Sequence, residues 1–143
     1  MSAPLVPELD VSDLDASLAF YRDILGFSVR YERPEERFTY LERDGAELML
    51  QEAGGPGRRF RTAPLEAPFG RGVNLQIRVA DARALIAKAC AAGARIVLGL
   101  EERWYRRAGG EVGNLQFVAA DPDGYLLRFF EDLGSRAIVA ATG

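Results

Sequence analysis

Apolar and polar positions alternate over several short stretches of this chain, a pattern typical of strands with one buried face. In the first half the alternation predicts strands over 5–11, 27–31, 37–43 and 46–52. In the second half it predicts strands over 72–79, 95–98, 114–120 and 125–131. Residues 99–113 fit either a strand or an extended arm.

Two other stretches have apolar residues at helical spacing. The first stripe consists of Leu14, Leu18, Tyr21 and Leu25, and the second of Ala82, Leu85, Ile86, Ala89 and Cys90. Ser12 or Asp13 can cap the first helix, and Asp81 can cap the second. Gly26 and Gly93 follow the stripes and are expected to end the helices, because glycine tolerates the left-handed conformation.

The order strand, helix and three strands occurs twice. Val11-Ser12-Asp13 returns as Val79-Ala80-Asp81, 68 residues later. An Asp-Gly turn precedes the last strand of each unit, at Asp44-Gly45 and at Asp123-Gly124. We therefore predict an α+β fold in which two βαβββ units form a curved mixed sheet, with the helices on its outer face.

The length of 143 residues fits one domain. We expect a single domain over 1–134, with repeat one at about 5–53 and repeat two at about 72–132. Residues 54–71 contain Gly, Pro and Arg without periodicity and predict a long loop. Residues 135–143 are predicted to form a C-terminal tail.

Strand alternation also predicts which face of the sheet can meet a ligand. The apolar face, with Leu9 and Leu50 among its residues, must lie under the helices. The opposite face then carries Glu47, Met49, Asn74, Gln76 and Arg128. A flat sheet would leave these side chains in solvent, whereas a curved sheet would wrap them around a crevice for a small polar or amphipathic ligand.

Four aromatic residues have two interpretations each. Phe38 and Tyr40 share one face of their strand and belong either to the core or to the wall of a pocket. Trp104 and Tyr105 stand among charged residues, where they form either a stacking surface for an aromatic ligand or a dimer contact. Cys90 is expected to be a small core residue rather than a nucleophile.

Composition excludes several kinds of active site. The chain has no histidine and one cysteine, so it cannot form a Ser-His-Asp triad, a Cys-His pair or a His-ligated metal site. The net charge of −3 disfavours nucleic acid as a partner. We find no apolar run long enough for a membrane span and no signal peptide, and we therefore expect a cytoplasmic protein with no membrane partner.

Two stretches resemble the vicinal oxygen chelate superfamily, which includes glyoxalase I, extradiol dioxygenases and the fosfomycin- and bleomycin-resistance proteins. Residues 11–27, VSDLDASLAFYRDILGF, resemble the opening of that superfamily, and residues 121–125, DPDGY, resemble its other common signature. The resemblance covers roughly residues 5–132. It implies a fold of paired βαβββ units, in agreement with the repeat.

The superfamily's enzymes usually hold a divalent metal ion with one side chain from each of four strands. The resemblance maps these places onto Val6, Met49, Asn74 and Arg128. Valine and methionine are not ligands for hard cations, asparagine is a poor ligand, and arginine is itself a cation. We therefore expect no metal ion and no other cofactor, and we favour a binding protein over an enzyme.

Residues 5–53 resemble most the bleomycin-resistance type, a dimer that sequesters the drug in crevices at its interface without chemistry. The resemblance predicts a homodimer that binds a small aromatic or glycopeptide antibiotic of the bleomycin type. The candidate ligand-binding residues are Phe38, Tyr40, Glu47, Met49, Asn74, Gln76, Trp104, Tyr105 and Arg128.

Two alternatives remain open. One is a superfamily enzyme, glyoxalase- or dioxygenase-like, with an atypical site, and the other is a binder of an unrelated metabolite. The bleomycin-resistance type tends to have an acidic crevice, whereas this chain places arginines in the loop and in the arm. These are Arg58, Arg59, Arg61, Arg71, Arg103, Arg106 and Arg107. An anionic or neutral aromatic ligand is therefore also compatible with the sequence.

Overall fold

Each repeat builds its own four-stranded sheet and carries its own helix. The structure is a computed structural model that describes residues 2–138. The first unit comprises β1 (Glu8–Val11), α1 (Leu14–Leu18), β2 (Ser28–Arg33), β3 (Phe38–Arg43) and β4 (Ala46–Glu52). The second unit comprises β5 (Asn74–Arg78), α2 (Ala82–Ala91), β6 (Arg95–Arg107), β7 (Gly110–Ala120) and β8 (Leu126–Arg136).

Both sheets are mixed and have the same topology. The strand orders are β1-β4-β3-β2 and β5-β8-β7-β6, in which the first pair of each sheet is parallel and the other two pairs are antiparallel. The two predicted βαβββ units and the α+β class are therefore confirmed. In the part of the chain that is described, no strand of one sheet pairs with a strand of the other, so there are two sheets rather than one continuous sheet.

An aspartate side chain caps the first turn of each helix. Asp13 Oδ1 accepts from the amide of Asp15 at 3.0 Å, and Asp81 Oδ1 accepts from the amide of Ala84 at 2.9 Å. A glutamate on the strand that pairs in parallel with the first strand of each unit accepts a second hydrogen bond from the first turn. Glu52 accepts from the amide of Leu14, and Glu131 accepts from the amide of Ala82, both at 3.0 Å.

The first helix widens after one turn. Residues Ala19–Ile24 are π-helical, and the amide of Leu25 bonds to the carbonyl of Phe20. Gly26 then ends the helix with φ of 79°, and Gly93 ends α2 with φ of 78°, as predicted. Within residues 2–138, no helix has the length and apolar character needed to cross a membrane.

Alternation places the core where the sequence predicts it. Leu9, Val11, Leu48, Leu50, Ile77, Val79, Leu127 and Phe129 are all buried under the helices. The rings of Phe117 and Phe129 stack at 5.3 Å in the second half of this core. Cys90 is exposed, so its predicted place in the core is wrong; the buried stripe of α2 is Ala82, Leu85 and Ala89.

The arm of the second unit is longer than the alternation indicates. Residues 99–107 continue β6, and β7 already begins at Gly110, so the two strands form a long hairpin. β8 likewise runs to Arg136, two residues into the segment predicted to be a tail. This hairpin extends beyond the core and carries charged side chains on both faces. It therefore lacks the alternation of apolar and polar residues from which a strand is predicted. The rest of the predicted tail, 139–143, lies outside the described residues, and the domain boundaries stay a prediction.

Buried hydrogen bonds join the two units. The hydroxyl of Tyr21, at the end of the first helix, donates to Asp121 Oδ2 at 2.7 Å. Asp121 Oδ1 accepts from the amides of Asp123 and Tyr125, each at 2.9 Å. The Tyr125 hydroxyl in turn donates to the carbonyl oxygen of Asp10 on β1 at 2.8 Å. Side chains from both signature stretches therefore form the seam between the repeats.

Removal of the Tyr21 hydroxyl tests whether the seam stabilises the fold. Tyr21→Phe leaves a buried carboxylate oxygen of Asp121 without its donor, which should cost about 1–3 kcal/mol. We expect urea denaturation to show this loss in the free energy of unfolding. Tyr31→Phe is the control, because the Tyr31 ring is 48% exposed, and it should change the value by less than about 0.5 kcal/mol. Equal values for the two variants would contradict the role of the seam.

The pH dependence of stability tests the burial of Asp121. Burial raises the pKa of this carboxyl, although the hydrogen bonds from Tyr21, Tyr125 and Asp123 oppose the shift. A raised folded-state pKa stabilises the fold below the unfolded pKa of about 4, and this contribution is lost as the pH rises. Asp121→Asn does not ionise, so its stability relative to the natural chain should increase between about pH 3 and about pH 7. A difference that stays constant or decreases over that range would contradict the assignment.

Candidate functional site

The faces turned away from the helices carry the polar side chains. In the first sheet, Glu8 pairs with Met49 and Met49 pairs with Tyr40, so these residues share one face. In the second sheet, Gln76 pairs with Arg128, and Arg128 pairs with Val118. This arrangement agrees with the predicted separation of a core face from a polar face.

Glu47 is the best connected group on the first polar face. Its Oε1 accepts from the Tyr40 hydroxyl at 2.8 Å, and it also contacts the amide of Ala3 and the guanidinium of Arg30. Burial opposes ionisation of this carboxyl, but the Tyr40, Ala3 and Arg30 contacts together hold its pKa below the usual range. Glu47 is therefore a satisfied carboxylate, which makes it a poor proton donor near neutral pH.

A stack of three aromatic rings lies beside Glu47. The Tyr31 ring is parallel to the Tyr40 ring, with centroids 4.9 Å apart and an interplanar angle of 22°, and it lies 6.0 Å from the Phe38 ring. Phe38 and Tyr40 are only 5% and 3% exposed, whereas Tyr31 is 48% exposed. The two predicted rings therefore form a buried support, and Tyr31 is the ring with surface available to a ligand.

The loop between the two units closes one end of the same face. Arg61 Nε donates to Asp10 Oδ2 at 2.9 Å, and Gln51 Nε2 donates to Asp10 Oδ1 at 3.0 Å. Arg59 donates to the carbonyl oxygens of Glu36 and Glu52. Arg71 donates to carbonyl oxygens of its own loop. These three loop arginines therefore hold the loop in place instead of forming a free basic rim.

Arg128 is the central group of the second polar face. Its Nη2 contacts Gln76 Oε1 on the neighbouring strand. Its Nε is buried and has no hydrogen-bond partner among the described residues. A partly buried guanidinium with an unused donor is an unusual feature, because most buried polar atoms have a partner.

Two cavities bring several of the predicted residues together. The first, of about 360 Å³, is lined by Glu47 from the first sheet and by Asn74 and Gln76 from the second. The second, of about 440 Å³, is lined by Gln76, Arg78 and Phe130 and by the turn 44–46. Arg128 and Tyr40 are not part of either lining, but Arg128 contacts Gln76 and Tyr40 bonds to Glu47. Met49 is the cross-strand partner of Tyr40.

Trp104 and Tyr105 point to opposite faces of the arm and cannot form one stacking surface. Tyr105 is on the polar face, where its hydroxyl accepts from Gln116 Nε2 at 2.6 Å. Trp104 packs over Gly113 on the other face, where the Arg136 guanidinium lies 3.9 Å from the centre of its ring. Adjacent residues of a strand alternate, and the long β6 extends this rule to the arm.

The four places that the resemblance assigns to a metal ion do not fit one. These places hold Val6, Met49, Asn74 and Arg128. The Arg128 guanidinium already contacts the side chain of Gln76 on the neighbouring strand. In the described part of the chain, no group of three or more histidine, cysteine, aspartate or glutamate side chains is arranged to hold a metal. A guanidinium at this place repels a divalent cation.

A larger groove, of about 680 Å³, lies on the helix side of the molecule. It is lined by Phe20 and Ile24, by residues 92–94 immediately after α2 and by the turn at 121–124. None of the nine predicted ligand-binding residues lines it, so we place the candidate site on the polar faces.

Sequence reasoning missed Tyr31 and Gln116. Tyr31 lies at the end of a predicted strand whose polar face was not assigned. Gln116 is only 2% exposed, and it donates both to Tyr105 and to Glu101 Oε1, the latter at 3.1 Å. Its alternation with Leu115 and Phe117 is the signal that could have placed it on the polar face.

Comparisons with known proteins support this architecture. A family model described as the Glyoxalase/Bleomycin resistance protein/Dioxygenase superfamily matches residues 6–129. The crystal structure of TioX from Micromonospora sp. ML1 has 22% sequence identity, covers 92% of this chain and 100% of that chain, and superposes with a TM-score of 0.71. At this identity the similarity shows a shared fold.

Two further structures were matched. A glyoxalase/bleomycin resistance protein/dioxygenase superfamily member from Vibrio splendidus 12B01 is 41% identical over 90% of this chain and 97% of that chain, with a TM-score of 0.40. Lactoylglutathione lyase from Agrobacterium tumefaciens is 18% identical over 92% and 94%, with a TM-score of 0.60. No curated protein matches the chain. The family model covers most of the sequence, and the chain therefore belongs to the glyoxalase/bleomycin resistance protein/dioxygenase superfamily.

Proposed function

We propose that this protein binds and sequesters a small aromatic molecule, such as an aromatic antibiotic or a glycopeptide antibiotic of the bleomycin type, without changing it chemically. One observation carries the proposal. The places that would hold the metal ion of a superfamily enzyme contain Val6, Met49, Asn74 and Arg128, which offer a metal no suitable set of ligands. The polar faces around them nevertheless keep cavities and an accessible aromatic ring.

The side chains of the site are suited to noncovalent binding of a ligand. Tyr31 offers a ring supported from below by Tyr40, and a supported ring loses little entropy when a ligand stacks on it. Asn74 and Gln76 supply amide donors and acceptors at the cavity. Its partners hold the pKa of Glu47 below the usual range, whereas a general acid near neutral pH needs a raised pKa.

The proposal includes a homodimer in the cytoplasm. Resemblance to the bleomycin-resistance type supports a crevice to which two copies contribute. A single cysteine permits a reducing compartment. Sedimentation of the protein at micromolar concentration should show a species of twice the 15.7 kDa chain mass. A monomer at that concentration would exclude the shared crevice.

Calorimetry with two antibiotics tests the function. Metal-free bleomycin and mitomycin C are titrated separately into the protein, and the recovered ligand is then analysed by chromatography. We expect saturable binding of at least one of them at micromolar affinity, with the ligand recovered unchanged. A modified ligand would indicate an enzyme with an atypical site. Absence of heat for both would remove the antibiotic assignment and leave a binder of another metabolite.

A substitution at Tyr31 tests the role of the exposed ring. Tyr31→Ala removes the stacking surface and should weaken binding of an aromatic ligand about tenfold, because aromatic pairs contribute about 0.5–1.5 kcal/mol beyond their buried area. Tyr31→Phe keeps the ring and should bind within about twofold of the natural chain. If both variants bind like the natural chain, the ligand does not stack on Tyr31.

A further inference from the structure

In its own sheet, Arg128 has no acidic residue among its immediate neighbours. The cross-strand neighbours of Arg128 on the polar face are Gln76 and Val118, and its neighbours along β8 on that face are Leu126 and Phe130. The diagonal positions hold Asn74, Arg78, Gln116 and Ala120. None of these residues is acidic. No carboxylate among residues 2–138 forms an ion pair with Arg128 or with Arg78.

The acidic residues that line the two cavities already have partners. Glu47 lines the adjoining cavity but contacts Arg30, Tyr40 and the amide of Ala3. Asp44 lines the groove beside Arg78, where its carboxylate lies 3.3 Å from Arg43 Nη1. Neither forms an ion pair with Arg128, so the charge of Arg128 has no carboxylate partner within residues 2–138.

The geometry of the guanidinium leaves donors unused. Only Nη2 contacts a protein acceptor, Gln76 Oε1, while Nε has no hydrogen-bond partner among the described residues. A buried donor that is left unpaired destabilises the structure. An arginine presents its donors as a planar fork that matches a carboxylate or a phosphate. Because Nε itself is buried, an oxyanion would approach the Nη side of the fork and neutralise the charge there.

An aromatic surface lies next to this charge. Phe130 follows Arg128 on the same face of β8 and lines the groove of about 440 Å³ together with Gln76 and Arg78. A flat apolar group in the groove would contact the Phe130 ring while an oxyanion reaches the arginines. The groove is thus suited to a molecule that has both parts.

We propose that the ligand of this site is an anionic aromatic molecule, in which a carboxylate or a comparable oxyanion pairs with Arg128 and the ring lies against Phe130. This inference rests on the proposed binding function and narrows it to a class of ligand. It requires a negative charge and an aromatic ring in the same molecule. A cationic glycopeptide would be repelled by Arg78 and Arg128.

Two probes of the same shape test the charge requirement. The affinities of 1-naphthoate, an anion, and 1-naphthylmethanol, its neutral analogue, are measured by calorimetry. Hydrogen bonds to charged groups contribute about 1.5–3 kcal/mol, so 1-naphthoate should bind about tenfold to a hundredfold more tightly. This preference should decrease as salt is added.

Arg128→Gln should remove most of that preference while leaving the affinity for 1-naphthylmethanol within about twofold. Arg83→Gln is the matched control, because it removes the same charge from an exposed position on α2 and should leave both affinities unchanged. Folding of each variant is checked by circular dichroism. In the natural protein, the Nε–H resonance of Arg128 should shift when 1-naphthoate is added and remain in place with 1-naphthylmethanol, which tests the pairing without any substitution.

The outcomes separate the two proposals. Equal affinities for the two probes, with no effect of Arg128→Gln and no shift of the Nε–H resonance, would overturn the anionic ligand but leave aromatic binding intact. If neither probe binds, the anionic ligand is overturned, and the proposed binding function is then decided by the titrations with bleomycin and mitomycin C. A preference for the anion that Arg128→Gln does not reduce would also overturn the role of Arg128.

Discussion

Side chains alternate along a strand, so each sheet of this protein can bury one face under its helix and must leave the other to solvent or to a ligand. The buried face takes Leu9 and Leu50 in the first unit and Ile77 and Phe129 in the second. Everything of chemical interest then lies on the opposite face. The position of Arg128 follows from this constraint, because its neighbours Leu127 and Phe129 are fully buried.

The repeat extends the constraint from one sheet to two. Glu52 and Glu131 bind the first turns of α1 and α2 in the same way, which fixes each helix on its own sheet. The Tyr21–Asp121 bond then links one helix to the other unit's turn. The Asp121 carboxylate also accepts hydrogen bonds from two backbone amides. One carboxylate therefore stabilises both the turn and the seam. The DPDGY signature is therefore structural in this chain, apart from any role in binding.

Strands with strict alternation could be predicted from the sequence, and so could the caps and the glycine ends of the helices. The arm could not, because charged residues such as Arg103 and Glu102 follow one another in β6 without an apolar face. The contacts between individual aromatic side chains could not be predicted either. Phe38 and Tyr40 share the expected face, but only the structure shows that Tyr31 covers them. Likewise, Trp104 and Tyr105 are separated by a strand that the periodicity did not indicate.

The central claim is that the polar faces bind an aromatic ligand through side chains alone, with Arg128 at a place where a superfamily enzyme would hold a metal ion. Calorimetric titration of 1-naphthoate into chelator-treated protein, repeated after addition of Mn²⁺ and of Zn²⁺, tests it most directly. We expect the same affinity in all three titrations and no conversion of the ligand. Binding or turnover that requires added metal would contradict the claim.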